Sequence, residues 1–304
     1  MKKKKILLFD GNNLLFRSFF AVKELKTSTG IPTNGIYGSL KSFRSTINEF
    51  KPSYAVVLWD NGKKTFRHEQ DETYKSGRPP IHEDLRAQFS TVKKAFKVLG
   101  IPQIVAPDGI EADDLVGSIA TKSDSIGLHT IIVSSDKDFF QLCTDTLNVY
   151  SFTVKNKNGT GIVNAKYVRE TFGVEPPLLN DLKSLTGERC DSIAGIKGIG
   201  EKTALKLIKE HGSIHNILKI LKNNQDFFQQ NKLPSNAVKI IENAYSLAKI
   251  KTDVEVDVSG IIPVKKIKCD SDKLLEFFKE MEFNQFISEI NSWSNLFNYS
   301  VKIS

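Results

Sequence analysis

The sequence is poor in cysteine and contains no long hydrophobic run. Among its 304 residues there are three widely spaced cysteines that form no CxxC pair: Cys143, Cys190 and Cys269. Such a set provides neither a disulfide framework nor a readable zinc site, and it suits a reducing cytoplasm. The basic start is followed by only four apolar residues, Ile6 to Phe9, a run too short for a signal peptide or a membrane span. The sequence therefore predicts a soluble, cytoplasmic protein with no membrane association.

The charge of the chain is positive but unevenly distributed. There are 43 Lys and Arg against 35 Asp and Glu, a net charge of +8, which favours a polyanionic partner. A composition rich in Lys and Asn can also arise from genome bias without any binding role, so the net charge alone leaves both explanations open. The acids are more informative, because they gather at a few places along the sequence.

Three short apolar runs rich in β-branched residues each end in an aspartate. They are residues 5–10, 54–60 and 130–136, and each is typical of a buried strand. Helical stretches lie between them, including residues 35–49, 80–99 and 112–122. This alternation predicts a parallel sheet with right-handed crossovers. Because ligands of such sheets bind beyond the carboxyl ends of the strands, we expect Asp10, Asp60 and Asp136 to converge.

The second half of the sequence has a different character. No GxGxxG follows the first strand, so a dinucleotide-binding fold is not supported. From about residue 176 strand signals become sparse and helical periodicity dominates, with one such stretch at 271–290, while residues 222–232 are typical of an exposed linker. Four phenylalanines at nearly helical spacing predict a core contact: Phe277, Phe278, Phe283 and Phe286. We predict an α/β region followed by a mostly helical one.

Seven carboxylates lie at predicted strand ends or at a predicted helix start: Asp10, Asp60, Glu111, Asp113, Asp114, Asp136 and Asp138. An acid at a helix start is often a cap, and Asp113 or Asp114 alone would be assigned that role. Carboxylates gathered without counter-charges raise one another's pKa, whereas hard divalent cations turn the same cluster into a binding site. All-oxygen ligands favour Mg²⁺ or Mn²⁺, and two such ions about 3.5–4 Å apart can hydrolyse a phosphodiester without a protein nucleophile.

A glycine-rich turn leads into a predicted helix at residues 195–204, with the sequence Gly-Ile-Lys-Gly-Ile-Gly-Glu-Lys-Thr-Ala. Glycines let the backbone approach a phosphate, and the free amides of a helix start can donate to it. An ordinary tight connection between helices would show the same glycine spacing. The two lysines, Lys197 and Lys202, favour nucleic acid.

Seven segments together resemble one family: residues 9–20, 33–38, 65–68, 74–79, 111–114, 136–142 and 195–204. Nearly end to end, the sequence resembles the 5′ nuclease (flap endonuclease) domain of bacterial DNA polymerase I and its free-standing bacterial and phage relatives. The resemblance implies a PIN-like nuclease domain at residues 1–176, a mostly parallel sheet flanked by helices, with a helical arch at about 68–98. It also implies a helical C-terminal region at residues 177–304, with a helix-three-turn-helix (helix-hairpin-type) DNA-binding motif at about 180–212.

The resemblance implies roles for individual residues as well. The seven carboxylates would hold the metals directly or through water, joined by Glu188 and Asp191. Tyr74, Lys75 and Arg78 match the arch and are the implied catalytic residues, with Lys75 and Arg78 contacting the scissile phosphate. The implied DNA contacts are Arg17, Arg67, Gly195, Lys197, Gly198, Gly200, Lys202 and Thr203. The family motif usually also holds a K⁺ ion.

One segment departs from the family pattern. Where the family usually has Gly-Asp-x-x-Asp-Asn-Ile-Pro-Gly, residues 187–195 read Gly-Glu-Arg-Cys-Asp-Ser-Ile-Ala-Gly. Glu188 keeps the charge but adds a methylene, enough to shift a metal ligand by about an ångström and weaken the second metal site. The neighbouring Arg189 would repel a cation, and Cys190 is interpreted as a bystander thiol.

The function implied by the resemblance is a divalent-metal-dependent, structure-selective 5′-3′ exonuclease or flap endonuclease that cuts DNA near junctions during primer removal and repair. Two alternatives stay open: a weakly active or inactive DNA-junction binder, and a PIN-type ribonuclease with the same acidic core. We expect a free-standing monomer that acts on flapped, nicked or RNA-primed DNA and works beside a separate polymerase.

Overall fold

The computed structural model describes residues 4–155, 159–223 and 233–299; residues 224–232 of the predicted linker lie outside this range. Six strands form one sheet: β1 Lys5–Asp10, β2 Tyr54–Trp59, β3 Gln103–Val105, β4 His129–Val133, β5 Leu147–Tyr150 and β6 Ile162–Val163. Their spatial order is β3-β2-β1-β4-β5-β6, and every pair is parallel except β5 with β6. The mostly parallel sheet is confirmed.

The register of the central strands brings their carboxyl ends to one edge. Asp10 of β1 stands opposite Leu58 of β2, and Phe9 stands opposite Val133 of β4. The middle of β1 is buried on both faces, which explains its unbroken apolar run. The residues that follow the three strands are therefore neighbours at this edge.

Helices cover both faces of the sheet and form the second half. They are α1 Gly11–Ala21, α2 Asn34–Phe50, α3 Phe66–Gln70, α4 Glu83–Val98, α5 Ala112–Ser125, α6 Ala165–Phe172, α7 Leu178–Thr186, α8 Glu201–His211, α9 Ile214–Asn223, α10 Ala237–Ala248, α11 Ser271–Glu280, α12 Asn284–Ser288 and α13 Ile290–Ser294. In the predicted arch, α3 and α4 are joined by turns and an extended stretch containing Pro79-Pro80. Proline lacks the amide hydrogen and disfavours helix before it, so no single helix spans 68–98.

The two faces of the sheet pack against different elements. Leu7 and Phe9 belong to a core with α1, α2 and α4, whereas Ile6 and Leu8 belong to a core with α5. The last three helices complete the first of these cores, where Phe278 and Trp293 are fully buried. All four phenylalanines predicted as core are buried, which confirms that prediction.

The C-terminal helical stretch is broken rather than continuous. The sequence predicts helical periodicity over 271–290, but the chain turns between α11 and α12 at Glu282, whose φ is +55°. The turn folds Phe283 and Phe286 back onto Phe278, with ring centroids 6.4 and 5.3 Å from it. Packing of the aromatic side chains thus outweighs the helical propensity of the segment.

A separate apolar core holds α7, α8, α9 and α10 together. The carboxylate of Asp181 in α7 accepts a hydrogen bond from the amide of Ile214, at the start of α9, over 2.9 Å. Among the described residues, no helix has the length and apolar character needed to span a bilayer.

Candidate active site

The acidic edge of the sheet begins with Asp10, the last residue of β1. Its buried carboxylate accepts hydrogen bonds from the Asn13 amide at 3.0 Å and the Ser134 hydroxyl at 2.9 Å, so it also caps α1. Burial raises the pKa of Asp10 to about 7, and the charges of Asp136 and Asp60 add to that rise. A cation bound beside Asp10 would oppose this rise by stabilising the charged carboxylate.

Asp60 and Asp113 extend the acidic edge from β2 and α5. The carboxylate of Asp60 accepts from the amide of Ala112 at 2.6 Å, which fixes the start of α5 beside the end of β2. Burial raises the pKa of Asp60, and the charge of Glu111 raises it further. Burial also raises the pKa of Asp113, and the charges of Asp136 and Asp10 add to that rise.

Asp136 follows β4 and caps the 3₁₀ helix of residues 137–142. It accepts from the amide of Asp138 at 2.8 Å. Burial, followed by the charge of Asp138, raises the pKa of Asp136 to about 6. Both residues of the Asp-Lys-Asp segment therefore belong to the same electrostatic cluster.

These carboxylates fit a divalent cation by their chemistry. They come from four separate elements, they raise one another's pKa, and every donor is a hard oxygen of the type that Mg²⁺ and Mn²⁺ prefer. Within residues 4–155, 159–223 and 233–299, no three Asp, Glu, His or Cys side chains are gathered closely enough to form a ready-made metal site. The predicted convergence is therefore electrostatic proximity rather than a preformed coordination sphere.

Basic and hydroxyl side chains from residues 65–75 contact Glu111. Its carboxylate oxygen Oε2 accepts from the Tyr74 hydroxyl at 3.2 Å and from the Lys75 ammonium at 2.9 Å, while Oε1 accepts from Thr65 at 3.3 Å. Burial, and next the charge of Glu111, raises the pKa of the buried Tyr74 phenol. Tyr74 and Lys75 thus reach the acidic edge.

Arg78 contacts Asp191, an acid on the other side of the acidic edge from Glu111. Its Nη2 and Nε contact one oxygen of Asp191 at 2.6 and 3.0 Å, and the amide of Lys75 donates to the Asp191 carbonyl at 2.9 Å. The amide of Gly77 donates to the Ser192 hydroxyl at 3.2 Å. Residues 75–78 therefore lie across the site between Glu111 and Asp191.

A third cation, Lys183, lies between the remaining predicted ligands. Its ammonium group contacts Asp138 and, at 2.7 Å, Glu188. Although burial opposes it, the charges of Asp138 and Glu188 raise the pKa of Lys183. The thiol of Cys190 also reaches Glu188, at 3.4 Å. Lys183 thus bridges Glu188 and Asp138. No sequence signal had pointed to this lysine.

Comparison with known proteins decides the family. The family described as 5′-3′ exonuclease, N-terminal resolvase-like domain, matches residues 5–173, and its C-terminal SAM fold matches residues 174–270. The chain belongs to the 5′-3′ exonuclease family. The 5′-3′ exonuclease of Aquifex aeolicus is 35% identical over 288 residues, covering 95% of this chain and 96% of that protein.

Other similar proteins are longer or share only the fold. The thermostable DNA polymerase I of Thermus filiformis is 36% identical over 286 residues, covering 94% of this chain but 33% of the polymerase. The zinc-bound 5′-exonuclease of phage T5 shares the fold with a TM-score of 0.66 at 22% identity, covering 96% of this chain and all of that one. The Rad2 catalytic core with DNA substrate shares it with a TM-score of 0.63 at 18% identity, covering 95% and 91%.

Two residues with predicted roles, Arg67 and Asp114, are paired with each other. Arg67 was predicted to contact DNA and Asp114 to hold a metal, but both are buried, at 2% and 0% exposure. They form a two-pronged ion pair in which Nη1 and Nη2 of Arg67 meet the two Asp114 oxygens at 2.7 and 2.8 Å. In this structure the guanidinium and the carboxylate are therefore occupied by each other, and the DNA contact of Arg67 and the metal contact of Asp114 stay predictions.

The glycine-rich motif divides into a packed part and an exposed part. A Cβ at Gly195 would lie 2.2 Å from the backbone of Thr186, so glycine is needed there for close packing of the turn. The other predicted contacts lie on the surface or partly so: Lys197, Gly198, Gly200, Lys202 and Thr203. Gly200 precedes α8 as its N-cap, so the first amides of that helix follow it.

Arg17 lies apart from the acidic side chains just described. Its guanidinium stacks over the ring of Phe152 at 4.5 Å from the centroid, and burial lowers its pKa. The predicted DNA contact by Arg17 stays a prediction.

Proposed function

We propose that the chain is a divalent-metal-dependent 5′-3′ exonuclease and flap endonuclease that hydrolyses phosphodiester bonds in DNA near single-strand/duplex junctions. Membership of the 5′-3′ exonuclease family supports nuclease activity. The single observation that supports the catalytic arrangement is the contact of Lys75 with Glu111 at the acidic edge. It brings a phosphate-binding cation of the arch next to the carboxylates.

We assign the acids to metal binding in two groups. Asp10, Asp60, Asp113 and Asp136 would hold one ion, with Glu111 beside them, and Asp138, Glu188 and Asp191 would hold a second. When bound, Mg²⁺ or Mn²⁺ would activate water and stabilise the leaving oxygen. The protein contributes the carboxylates, three of which are fixed by hydrogen bonds from backbone amides: Asp10, Asp60 and Asp136.

The arch residues contribute charge stabilisation. Lys75 and Arg78 each neutralise a carboxylate in this structure, at 2.9 and 2.6 Å. A DNA phosphate entering the site would offer the same charge, so both side chains can transfer from an acid to the phosphate with a small movement. Cations placed at the charge that develops on a phosphate typically raise rates by about 10²–10³-fold. Tyr74 donates its hydroxyl to Glu111, and the Lys75 ammonium lies over the Tyr74 ring at 4.9 Å from the centroid.

The exposed glycine-rich motif would hold the duplex. Backbone amides at the start of α8, together with Lys197, Lys202 and Thr203, suit a phosphate backbone. We propose that a K⁺ ion strengthens this grip and that binding is indifferent to base sequence. The substrates would be flapped, nicked or RNA-primed DNA, with the protein acting as a cytoplasmic monomer beside a separate polymerase.

The test is cleavage of a 5′-labelled flap duplex with Mg²⁺ or Mn²⁺, compared with single-stranded RNA of equal length. We expect cutting at the junction by the parent protein, and none by Asp136→Ala or Asp138→Ala. Asp272→Ala, at an exposed position in α11, is the matched control and should cut like the parent. Flap binding without cutting would instead favour the inactive junction binder, and equal cutting of the RNA would favour a ribonuclease.

A further inference from the structure

The segment that leaves α10 is bound through its backbone by buried side chains of the α/β region. Arg67 donates from Nε to the carbonyl of Leu247 at 2.7 Å and from Nη2 to the carbonyl of Lys249 at 2.8 Å. Asp114, the ion-pair partner of Arg67, accepts from the amide of Lys251 at 2.8 Å. One buried ion pair therefore makes three hydrogen bonds to a segment more than 130 residues away in sequence.

A third side chain holds the same segment from another direction. Gln141 donates to the carbonyl of Ala248 and accepts from the amide of Ile250, both at 3.2 Å. Beneath the segment lies Gly117 of α5, where an added Cβ would be 2.5 Å from Ile250 and 3.0 Å from the Lys251 carbonyl. The segment 247–251 is thus both tied down and in close contact with α5. We call Arg67, Asp114 and Gln141 the clasp.

Each clasp residue belongs to an element that also carries an acidic-edge or arch residue. Arg67 lies in α3, which leads to Tyr74; Asp114 follows Asp113; and Gln141 lies in the 3₁₀ helix that Asp136 caps. A displacement of the segment 247–251 would therefore act directly on the loops that bear the acids.

The other end of the connection lies at the glycine-rich motif. The amide side chain of Asn180 in α7 donates to the carbonyl of Tyr245 in α10 at 3.3 Å. The apolar residues Leu247 and Ala248 also pack with Ile193, in the turn that follows α7, and with Tyr74. The amide of Ile196, in the motif, donates to the carbonyl of Leu185 in α7 at 2.8 Å. Helices α7 and α10 thus form a continuous packed link from the motif to the clasp.

A buried ion pair adds little net stability compared with apolar packing, because its desolvation offsets its attraction. Its geometry, however, is specific, since the planar guanidinium accepts few arrangements of its partners. We propose that the clasp consists of positioning residues that fix the distance between the duplex-gripping motif and the acidic edge, and so fix where cleavage occurs relative to the junction. This inference rests on the proposed nuclease function.

The experiment measures product lengths at single-nucleotide resolution on an end-labelled flap substrate. Gln141→Met removes both hydrogen bonds with little change in volume, and Gly117→Ala pushes on the segment while leaving every clasp side chain in place. We expect cutting to spread from one dominant position to its neighbours in both variants, with a several-fold fall in kcat at the dominant position and little change in KM for DNA. Arg67→Lys, which keeps the charge but loses the fork, should spread it further.

The control is Leu274→Ala in the buried C-terminal layer, which destabilises the fold away from the clasp. It should lose stability on urea unfolding and still cut at one position. If Gln141→Met and Gly117→Ala, both folded by circular dichroism, cut at the parent position only, the inference is wrong while the nuclease function stands. If the parent protein itself does not cut, the proposed function is wrong and the inference falls with it.

Discussion

The ammonium group of Lys183 lies 2.7 Å from the carboxylate of Glu188 and also contacts Asp138. Both carboxylates belong to the proposed second metal site, so the protein's own cation neutralises charges that a divalent ion would otherwise neutralise. A positive charge at this position stabilises the metal-free protein. It also competes with any cation that is bound by the same two acids.

Replacing Lys183 with Met should therefore have opposite effects without and with metal. In EDTA, Asp138 and Glu188 would be left facing each other, and we expect a loss of about 1–2 kcal/mol in the free energy of unfolding. The variant lacks the lysine that competes with the ion. Adding Mn²⁺ should therefore raise its free energy of unfolding by more than it raises that of the parent. Urea unfolding in EDTA and in Mn²⁺ measures both.

Lys222→Met is the matched control for this change. Lys222 also pairs with an acid, Glu242 at 2.7 Å, but its side chain is 56% exposed. Surface ion pairs contribute about 0–1 kcal/mol. This one joins α9 and α10, which carry none of the proposed metal ligands. Equal responses of the two variants to Mn²⁺ would mean that Lys183 does not compete with the ion.

Shortening Glu188 to Asp should strengthen cation binding. Removing one methylene draws the carboxylate back by roughly 1.5 Å, one carbon–carbon bond, which breaks the contact with Lys183. The substitution also restores Asp, the residue that the family usually has at this position. We expect the Mg²⁺ concentration for half-maximal flap cleavage to fall several-fold. A higher requirement in Glu188→Asp would show that the longer side chain of Glu188 is the better ligand.

Neutralising Asp10 should stabilise the metal-free protein and abolish activity. The folded pKa of about 7 lies above the ordinary 3.8, so the stability associated with the protonated form is lost as the pH rises towards and through 7. Asp10→Asn removes this loss, and in EDTA we expect a gain of about 1 kcal/mol at pH 8, with a smaller gain at pH 5. Urea unfolding at both values checks the sign; a larger gain at pH 5 would contradict it.

Trp293 should be a stability residue with no part in catalysis. It is fully buried, its ring centroid lies 4.8 Å from that of Phe286, and Arg44 stacks over it at 4.8 Å. Trp293→Ala should cost about 3–5 kcal/mol, measured by urea unfolding, and Trp293→Phe less. Activity per folded molecule should stay at the parent level in both. A selective loss of kcat in Trp293→Phe would show that the aromatic layer acts on the site.

The sequence predicted those parts of the site that depend on local pattern. Asp10, Asp60 and Asp136 end buried strands, and strand order then places them together. The pairing of Arg67 with Asp114 was not predictable in this way, because it joins residues 47 positions apart whose burial depends on the arrival of residues 247–251. The charges of Arg67 and Asp114 favoured a DNA contact and a metal ligand, and only the tertiary contacts revealed that the two residues belong to the clasp.

Other features had no sequence signature at all. Gln141 lies in a segment noted for its aspartates, residues 136–142, and nothing local distinguishes a glutamine that will bind a distant backbone. Lys183 and Glu188 meet across the end of α7, a contact set by the turn at Gly187. The break at Glu282 likewise reflects aromatic packing from outside the segment.

The aromatic layer formed by α11, α12 and α13 has a consequence for the order of folding. It completes the core that begins with Leu7 and Phe9 of β1, so the first strand and the last helices share one apolar interior. On the ribosome, an emerging sheet would keep this face exposed until residues 271–297 had left the exit tunnel. A chain truncated after residue 270 would retain every acidic residue of the site, yet we expect it to aggregate.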